Sequence, residues 1–218
     1  MATRIFLVRH GETTFNVSGK LGGSSHDKQN VLSSMGKKQV RLLASHLARL
    51  GVDAIYSSPL PRAVETAKII SRRVRKPIVL DDSFREVGVG VLESLPFEEV
   101  EKRFPRNFDR MCANPWRPSV PGAEPLIRVQ SRVLYSFRKI VSSHPHQNVV
   151  VVAHNLANRV LLASLLGFSL QNIRVLKQYN ACLNILTFGK DGFRIHLING
   201  PHDPRGFRFE PPKKHEKG

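Results

Sequence analysis

Cysteine is scarce in this chain. Cys112 and Cys182 are the two among 218 residues. That is too few for a disulfide framework or a zinc site of four cysteines, so nothing argues for secretion. Carboxylates are scarce as well. Seventeen Asp and Glu face 34 Lys and Arg, a formal net charge of +17. Aromatic residues make up 7%, and they are not interleaved with basic ones as in a platform for single-stranded nucleic acid. No apolar run approaches the ~20 residues of a membrane-spanning helix. The opening MATRIFLVRHGET is no signal peptide, because its short apolar stretch runs straight into charge. Glycine and proline, at 15 and 14 residues, are too moderate for a collagen-like or disordered chain. The expectation is a soluble, cytoplasmic protein with no transmembrane segment.

Several nucleotide and nucleophile signatures are also missing. There is no GxxxxGK[ST] loop, no GxGxxG fingerprint and no GxSxG elbow. Gly88-Val89-Gly90 is only a turn.

What is present is an alternation of short apolar runs and amphipathic stretches. Arg4–Val8, Asp53–Tyr56, Pro77–Leu80 and Asn148–Ala153 read as strands. They are continuously apolar rather than alternating, the pattern of strands buried on both faces. Helices are predicted from Ser33 or Ser34 to a stop at Gly51, over Pro61–Val74, Pro96–Phe104, Glu124–Ser143 and Leu156–Leu166. Residues 105–123, with Pro115, Pro118, Pro121 and Gly122, read as irregular. A hairpin is predicted over 182–188 and 192–198, around Asp191-Gly192. The fold class is therefore α/β: a three-layer α/β/α sandwich with a mostly parallel central sheet. Residues 1–200 read as one domain with a small cap insertion at about 95–123. Residues 201–218 read as a basic, proline-rich, extended tail.

In such folds ligands sit beyond the carboxyl ends of the strands. Arg9-His10-Gly11-Glu12-Thr13 follows the first strand, with Asn16 close behind. Ser57-Ser58-Pro59-Leu60-Pro61-Arg62 follows the second, Phe84-Arg85-Glu86 lies downstream of the third, and His154-Asn155 follows the VVVV run. Taken singly, each has an ordinary explanation: a structural histidine, a surface arginine, a solvated glutamate. Their convergence on one edge is what carries weight. The set is coherent for phosphoryl chemistry. Two arginines offer planar donors that stay charged. The helix opening at Asn155 adds backbone N–H groups and a positive dipole end. A neutral imidazole can attack phosphorus, and a carboxylic acid can protonate a leaving alkoxide. His10 and His154 lack nearby Asp ligands, and no HxxE, HxH or DxD cluster accompanies them, which argues against a metal.

These residues resemble the histidine phosphatase superfamily, in its phosphoglycerate mutase-like branch. VRHGETTFN (8–16) resembles the family's first motif, and SSPLPRAVETA (57–67) its second. FREVGVGVLESL (84–95) resembles the acid-bearing segment, and VVVVAHN (149–155) the second-histidine motif. The likeness spans roughly residues 4–199. It departs at Ala153-His154-Asn155, where the family usually has Ser-His-Gly, and at Leu92-Glu93-Ser94, where it often has Trp-Glu-Gly. The resemblance implies a phosphoglycerate mutase-like fold, with His10 as the phosphorylated nucleophile. Arg9, Arg62 and His154 would surround the phosphoryl group, with Asn16 and the backbone N–H groups of Gly23 and Asn155 as further donors. Glu86 would act as general acid and then as base, with no metal and no cofactor.

The resemblance further implies a phosphomonoesterase acting on a small phosphorylated metabolite. Phosphoglycerate-mutase-type transfer and a non-catalytic basic phospho-ligand or nucleic-acid binding protein are the alternatives. Arg103, Arg106, Arg110 and Arg117 of the insertion are candidates to meet a second anionic group on the substrate. Most of the excess charge, including Arg72, Arg73, Arg75 and Lys76 and the tail lysines Lys213, Lys214 and Lys217, is not absorbed by this chemistry. It makes an anionic surface an expected partner. An exposed sheet edge would allow a homodimer.

Overall fold

The computed structural model describes residues 2–201. The expected tail, with its three lysines, lies outside the described residues apart from Pro201. Six strands form one sheet: β1 (Thr3–Arg9), β2 (Ala54–Ser57), β3 (Ile78–Leu80), β4 (Asn148–Ala153), β5 (Leu183–Gly189) and β6 (Gly192–Gly200). Their order is β3-β2-β4-β1-β5-β6. β1 pairs with β4, β4 with β2 and β2 with β3 in parallel, whereas β5 pairs antiparallel with both β1 and β6. The helices are α1 (Thr14–Val17), α2 (Ser34–Leu50), α3 (Pro61–Val74), α4 (Phe97–Arg103), α5 (Asn107–Ala113), α6 (Leu126–Ser143) and α7 (Asn155–Leu165).

The two-sided burial of the central strands explains their unbroken apolar runs. Along β1 and β4 successive side chains point to opposite faces. Ile5, Leu7, Val149 and Val151 join a core with Val129, Val133 and Phe137 of α6 and Val160 of α7. Phe6, Val8, Val150 and Val152 join a second core with Leu43 and Leu47 of α2 and Ala67 and Ile70 of α3. Helices on both faces of the sheet make the three expected layers. Among the described residues no helix is long and apolar enough to cross a membrane.

The expected elements are present, with boundaries shifted by a residue or two. The helix expected from Glu124 begins at Leu126 behind Pro125, because the residue before a proline is kept out of the helical region; the Glu124 carboxylate pairs with Arg132. One expectation fails. Residues 105–123 are not wholly irregular, since they contain α5. This helix has seven residues and buries only Met111 and Cys112, too few to write a helical period into the sequence. Both cysteines are free and buried.

Candidate active site

The carboxyl ends of β1 and β4 lie side by side, with Arg9 opposite Ala153. The chain continues from them directly into His10 and His154. The His10 N–H donates to the Ala153 carbonyl at 3.1 Å, and the Ala181 N–H donates to the His10 carbonyl at 3.0 Å. The backbone of His10 is therefore held from both sides. Gly11 follows because the chain passes tightly over α2: a Cβ there would lie 2.8 Å from the Gly36 carbonyl oxygen and from Val40.

The two imidazoles are buried, with ring centroids 5.2 Å apart. His10 Nδ1 lies 2.8 Å from the Gly11 carbonyl oxygen. A carbonyl only accepts, so Nδ1 carries the proton and Nε2 keeps its lone pair. Burial, reinforced by Arg62 and Arg9, pushes the His10 pKa well below 6.5. Burial, with Arg62 next in importance, does the same to His154. Both rings are thus neutral near pH 7. His154 Nε2 lies 2.8 Å from Ser58 Oγ, while its buried Nδ1 has no partner. With the serine hydroxyl as donor, the proton of His154 sits on the free Nδ1.

Arg62 starts α3 within its first turn. Its Nη2 donates to the Gly23 carbonyl at 2.6 Å, while its buried Nη1 has no acceptor. Burial pulls the Arg62 guanidinium down to about 10, still charged at neutral pH. Arg9 Nη1 donates to the Gln178 carbonyl at 2.5 Å, and its buried Nε is unpartnered. A buried unpaired donor costs about 1–3 kcal/mol. Two such donors, one on each arginine of a single cavity, therefore amount to a stored demand for an anion.

Gly23 lies at φ +47, a left-handed conformation, and a Cβ there would run into the Glu93 carboxylate. That carboxylate accepts the N–H groups of Ser24 at 2.9 Å, Ser25 at 3.1 Å and Val89 at 3.2 Å. It fixes the loop that presents Gly23. Asn16 Oδ1 accepts from the Thr13 N–H and from Asn180 Nδ2, which leaves its own amide hydrogens to face the cavity. Arg9, His10, Asn16, Gly23, Arg62, Glu86 and Asn155 all line this one cavity of about 120 Å³. The structure therefore brings together these predicted site residues, with His154 packed behind them.

Glu86 arrives differently from the expected picture. Its Oε1 accepts the N–H groups of Val87 at 3.0 Å and of Leu156 and Ala157 at 3.1 Å each, while Oε2 shares only that of Leu156. The positive end of α7, expected to serve the phosphate, holds the carboxylate instead through these two amides. Asn155 remains at the cavity wall. Behind Glu86 stands Arg132 of α6. It donates to the carbonyls of Ser83 and Arg85 at 2.7 Å and of Glu86 at 3.2 Å, and it grips Glu124 with two bonds of 2.8 Å. Among the described residues no group of three or more His, Cys, Asp and Glu is placed to hold a metal ion.

Sequence reasoning assigned no role to Ser58, Gln178, Asn180 or Arg132. Ser58 lies inside the second motif, but nothing in its neighbours marks it as the partner of a histidine 96 positions away. The insertion arginines do not reach the cavity. Arg103 pairs with Glu99 and Arg106 with Asp109, and neither Arg110 nor Arg117 lines it.

Comparisons with known proteins give the family of the chain. The profile of the histidine phosphatase superfamily (branch 1) matches residues 5–201. An uncharacterized phosphatase, PhoE of Bacillus subtilis, is 33% identical over 90% of this chain and 94% of its own. Phosphoserine phosphatase 1 of Hydrogenobacter thermophilus is 35% identical over 77% of this chain and 78% of its own. Among solved structures, YhfR of Bacillus stearothermophilus superposes with a TM-score of 0.84 at 27% identity, covering 93% of this chain and all of that one. The mycobacterial glucosyl-3-phosphoglycerate phosphatase complexed with VO3 gives 0.81 at 26%, covering 90% of this chain and 99% of that one. The extent of these matches, over the segments that carry the cavity, places the chain in branch 1 of the histidine phosphatase superfamily.

Proposed function

We propose that the protein is a metal-independent phosphomonoester hydrolase that works through a phosphohistidine on a small phosphorylated metabolite. The observation that carries this reading is the free Nε2 of a neutral His10 at a cavity lined by Arg9 and Arg62, each with one buried donor that lacks an acceptor, in front of the unpartnered Nδ1 of His154. A phosphoryl group supplies the missing oxygens. Arg9 and Arg62 gather them, and His154 Nδ1 adds a neutral donor.

The reaction has two halves. In the first, the Nε2 lone pair forms a bond to phosphorus as the bond to the ester oxygen breaks. Glu86 delivers a proton to the departing alkoxide. Oε2 is the oxygen free to carry that proton, since Oε1 is saturated by three N–H groups. In the second half Glu86, now a carboxylate, removes a proton from water. The water oxygen bonds to phosphorus, the P–N bond breaks, and inorganic phosphate leaves with His10 neutral again. The fixed charge of two arginines stabilises the planar phosphoryl group in flight.

The test is turnover of a phosphomonoester panel, combined with rapid non-acidic quenching and peptide mapping. Phosphate is expected on His10, and His10→Ala is expected to abolish both trapping and hydrolysis. A turning-over enzyme with no phosphate on His10 would refute the covalent route. Movement of the phosphoryl group between substrate hydroxyls without release would identify mutase chemistry instead.

A further inference from the structure

The phosphate cavity adjoins a second chamber of about 480 Å³, and Leu21, Val89, Phe97, Asn155 and Leu156 line both spaces. The chamber is therefore within reach of a group attached to a phosphoryl bound in the cavity. Its walls are mainly apolar, with Val100 of α4 and Phe108 and Met111 of α5 facing Leu156 of α7. The cap insertion supplies most of this surface.

One charged side chain stands among these walls. Arg159, on α7 one turn beyond Leu156, lines the chamber and is only 9% exposed. Its Nε donates to the Ile173 carbonyl at 2.9 Å, and its guanidinium lies over the Phe108 ring, 5.2 Å from the centroid. None of the ion pairs among the described residues includes it. The lining carboxylate is Glu101, which is solvent-exposed and accepts the Arg106 N–H. Asn107 adds a buried amide oxygen with no partner. Glu86 acts on this guanidinium only at longer range than an ion pair, and a charge held this far from water is costly unless a ligand completes it.

We propose that this chamber receives the alcohol portion of the substrate. That alcohol is a hydrocarbon or aromatic body ending in a carboxylate, which pairs with Arg159. The assignment rests on the phosphomonoesterase reading above. A polyol would find acceptors in Asn107 and Glu101 but would set its other hydroxyls against Phe97, Val100 and Met111. A cationic alcohol would meet Arg159 as a like charge. A carboxylate accepts two guanidinium hydrogens in the plane that Arg presents. The second anionic contact anticipated from the insertion arginines is thus assigned to a different residue, on the helix that follows β4.

The experiment compares three phosphate esters of primary alcohols: 6-phosphorylated hydroxyhexanoate, hexyl phosphate and glycerol 1-phosphate, the last with a slightly better leaving group that works against the expected order. Hexyl phosphate is expected to exceed glycerol phosphate in kcat/KM about tenfold, and the carboxylate ester to exceed hexyl phosphate by about tenfold or more. Arg159→Met removes a charge-assisted contact, so the ratio of carboxylate ester to hexyl ester should fall about 10- to 100-fold. Arg159→Lys should restore part of it. Phe97 is 52% exposed, so Phe97→Ser opens no core cavity, and it should lower the hexyl-to-glycerol ratio several-fold. Ratios within one preparation cancel any unfolded fraction. Equal kcat/KM across the wild-type series, or a carboxylate preference unmoved by Arg159→Met, would overturn the proposal. Hydrolysis of all three esters that survives His10→Ala would instead bring down the phosphohistidine reading and the chamber assignment with it.

Discussion

Replacing Glu86 by glutamine separates chemistry from structure at this site. The side chain is buried, and its Oε1 takes three backbone N–H groups whereas Oε2 shares one. A glutamine carbonyl set at the Oε1 position keeps those three bonds, and its NH2 occupies the place of Oε2. What is lost is the second leg of the Leu156 bond and, whenever the carboxyl group is ionised, its charge at the start of α7. Together these are worth about 1 kcal/mol, or roughly 2–4 °C in Tm for a chain of this size. The fold survives, so the activity change reports proton transfer. For an alkyl phosphate, loss of general acid catalysis should lower kcat/KM by about 10²- to 10⁴-fold. For 4-nitrophenyl phosphate the leaving oxygen needs no proton, and kcat/KM, which ends at the first irreversible step, should fall less than about tenfold. Its kcat should nevertheless drop, because the base that activates water is gone. The variant should then show a burst of nitrophenol and accumulate phosphohistidine. Stopped-flow burst amplitudes and quenched phosphopeptide mapping measure both. Equal losses of kcat/KM on the two substrates, with no burst, would refute the assigned role of Glu86.

Acid should destabilise the protein through its two buried imidazoles. The folded-state pKa values of His10 and His154 lie below 6.5, so the unfolded chain binds more protons between those values and 6.5. Their contribution is complete above pH 6.5 and is lost as pH falls toward the folded-state values, at up to about 1.4 kcal/mol per pH unit for each. Urea midpoints measured from pH 7 to pH 5 should show this slope, and replacing either histidine by asparagine should remove its share; an unchanged slope in both variants would contradict the neutral assignment. Arg132→Lys should behave as a positioning defect, because an ammonium cannot keep both bonds to Glu124 while reaching the carbonyls of Ser83, Arg85 and Glu86. We expect a stability loss of about 1–3 kcal/mol in urea unfolding, together with a kcat/KM loss larger for alkyl than for nitrophenyl phosphate, the signature of a displaced acid.

The helical cap shows where sequence reasoning stops. α4 carries Glu98 and Glu99 in its first turn and Lys102 and Arg103 in its last, a charge order that favours a helix locally, and it was legible. α5 begins after Arg106 in a left-handed conformation and turns only two side chains into the core, so no period announces it. The arginines of that segment looked available for substrate because their sequence neighbours do not reveal that Arg106 folds back on Asp109. Arg174, from a separate segment, bonds to the same carboxylate.

The sequence by itself determined the layered fold and which polar residues stand at the sheet edge where the proposed chemistry occurs. Strands buried on both faces must be apolar throughout, and residues joined directly to a strand's end are carried to the sheet edge by the covalent chain. His10, Arg9 and His154 are such residues, and Arg62 follows β2 by one short turn. Tertiary structure alone decided the partners and the tuning: Ser58 on His154, the Gln178 carbonyl on Arg9, α7 amides on Glu86, Arg132 behind the acid loop, and Arg159 in the chamber. Except for Arg159, these partners lie 46 to 169 positions apart in the chain. Contacts over such separations are set by how helices and loops pack against the sheet, and burial, which makes both histidines neutral, exists only once that packing is complete.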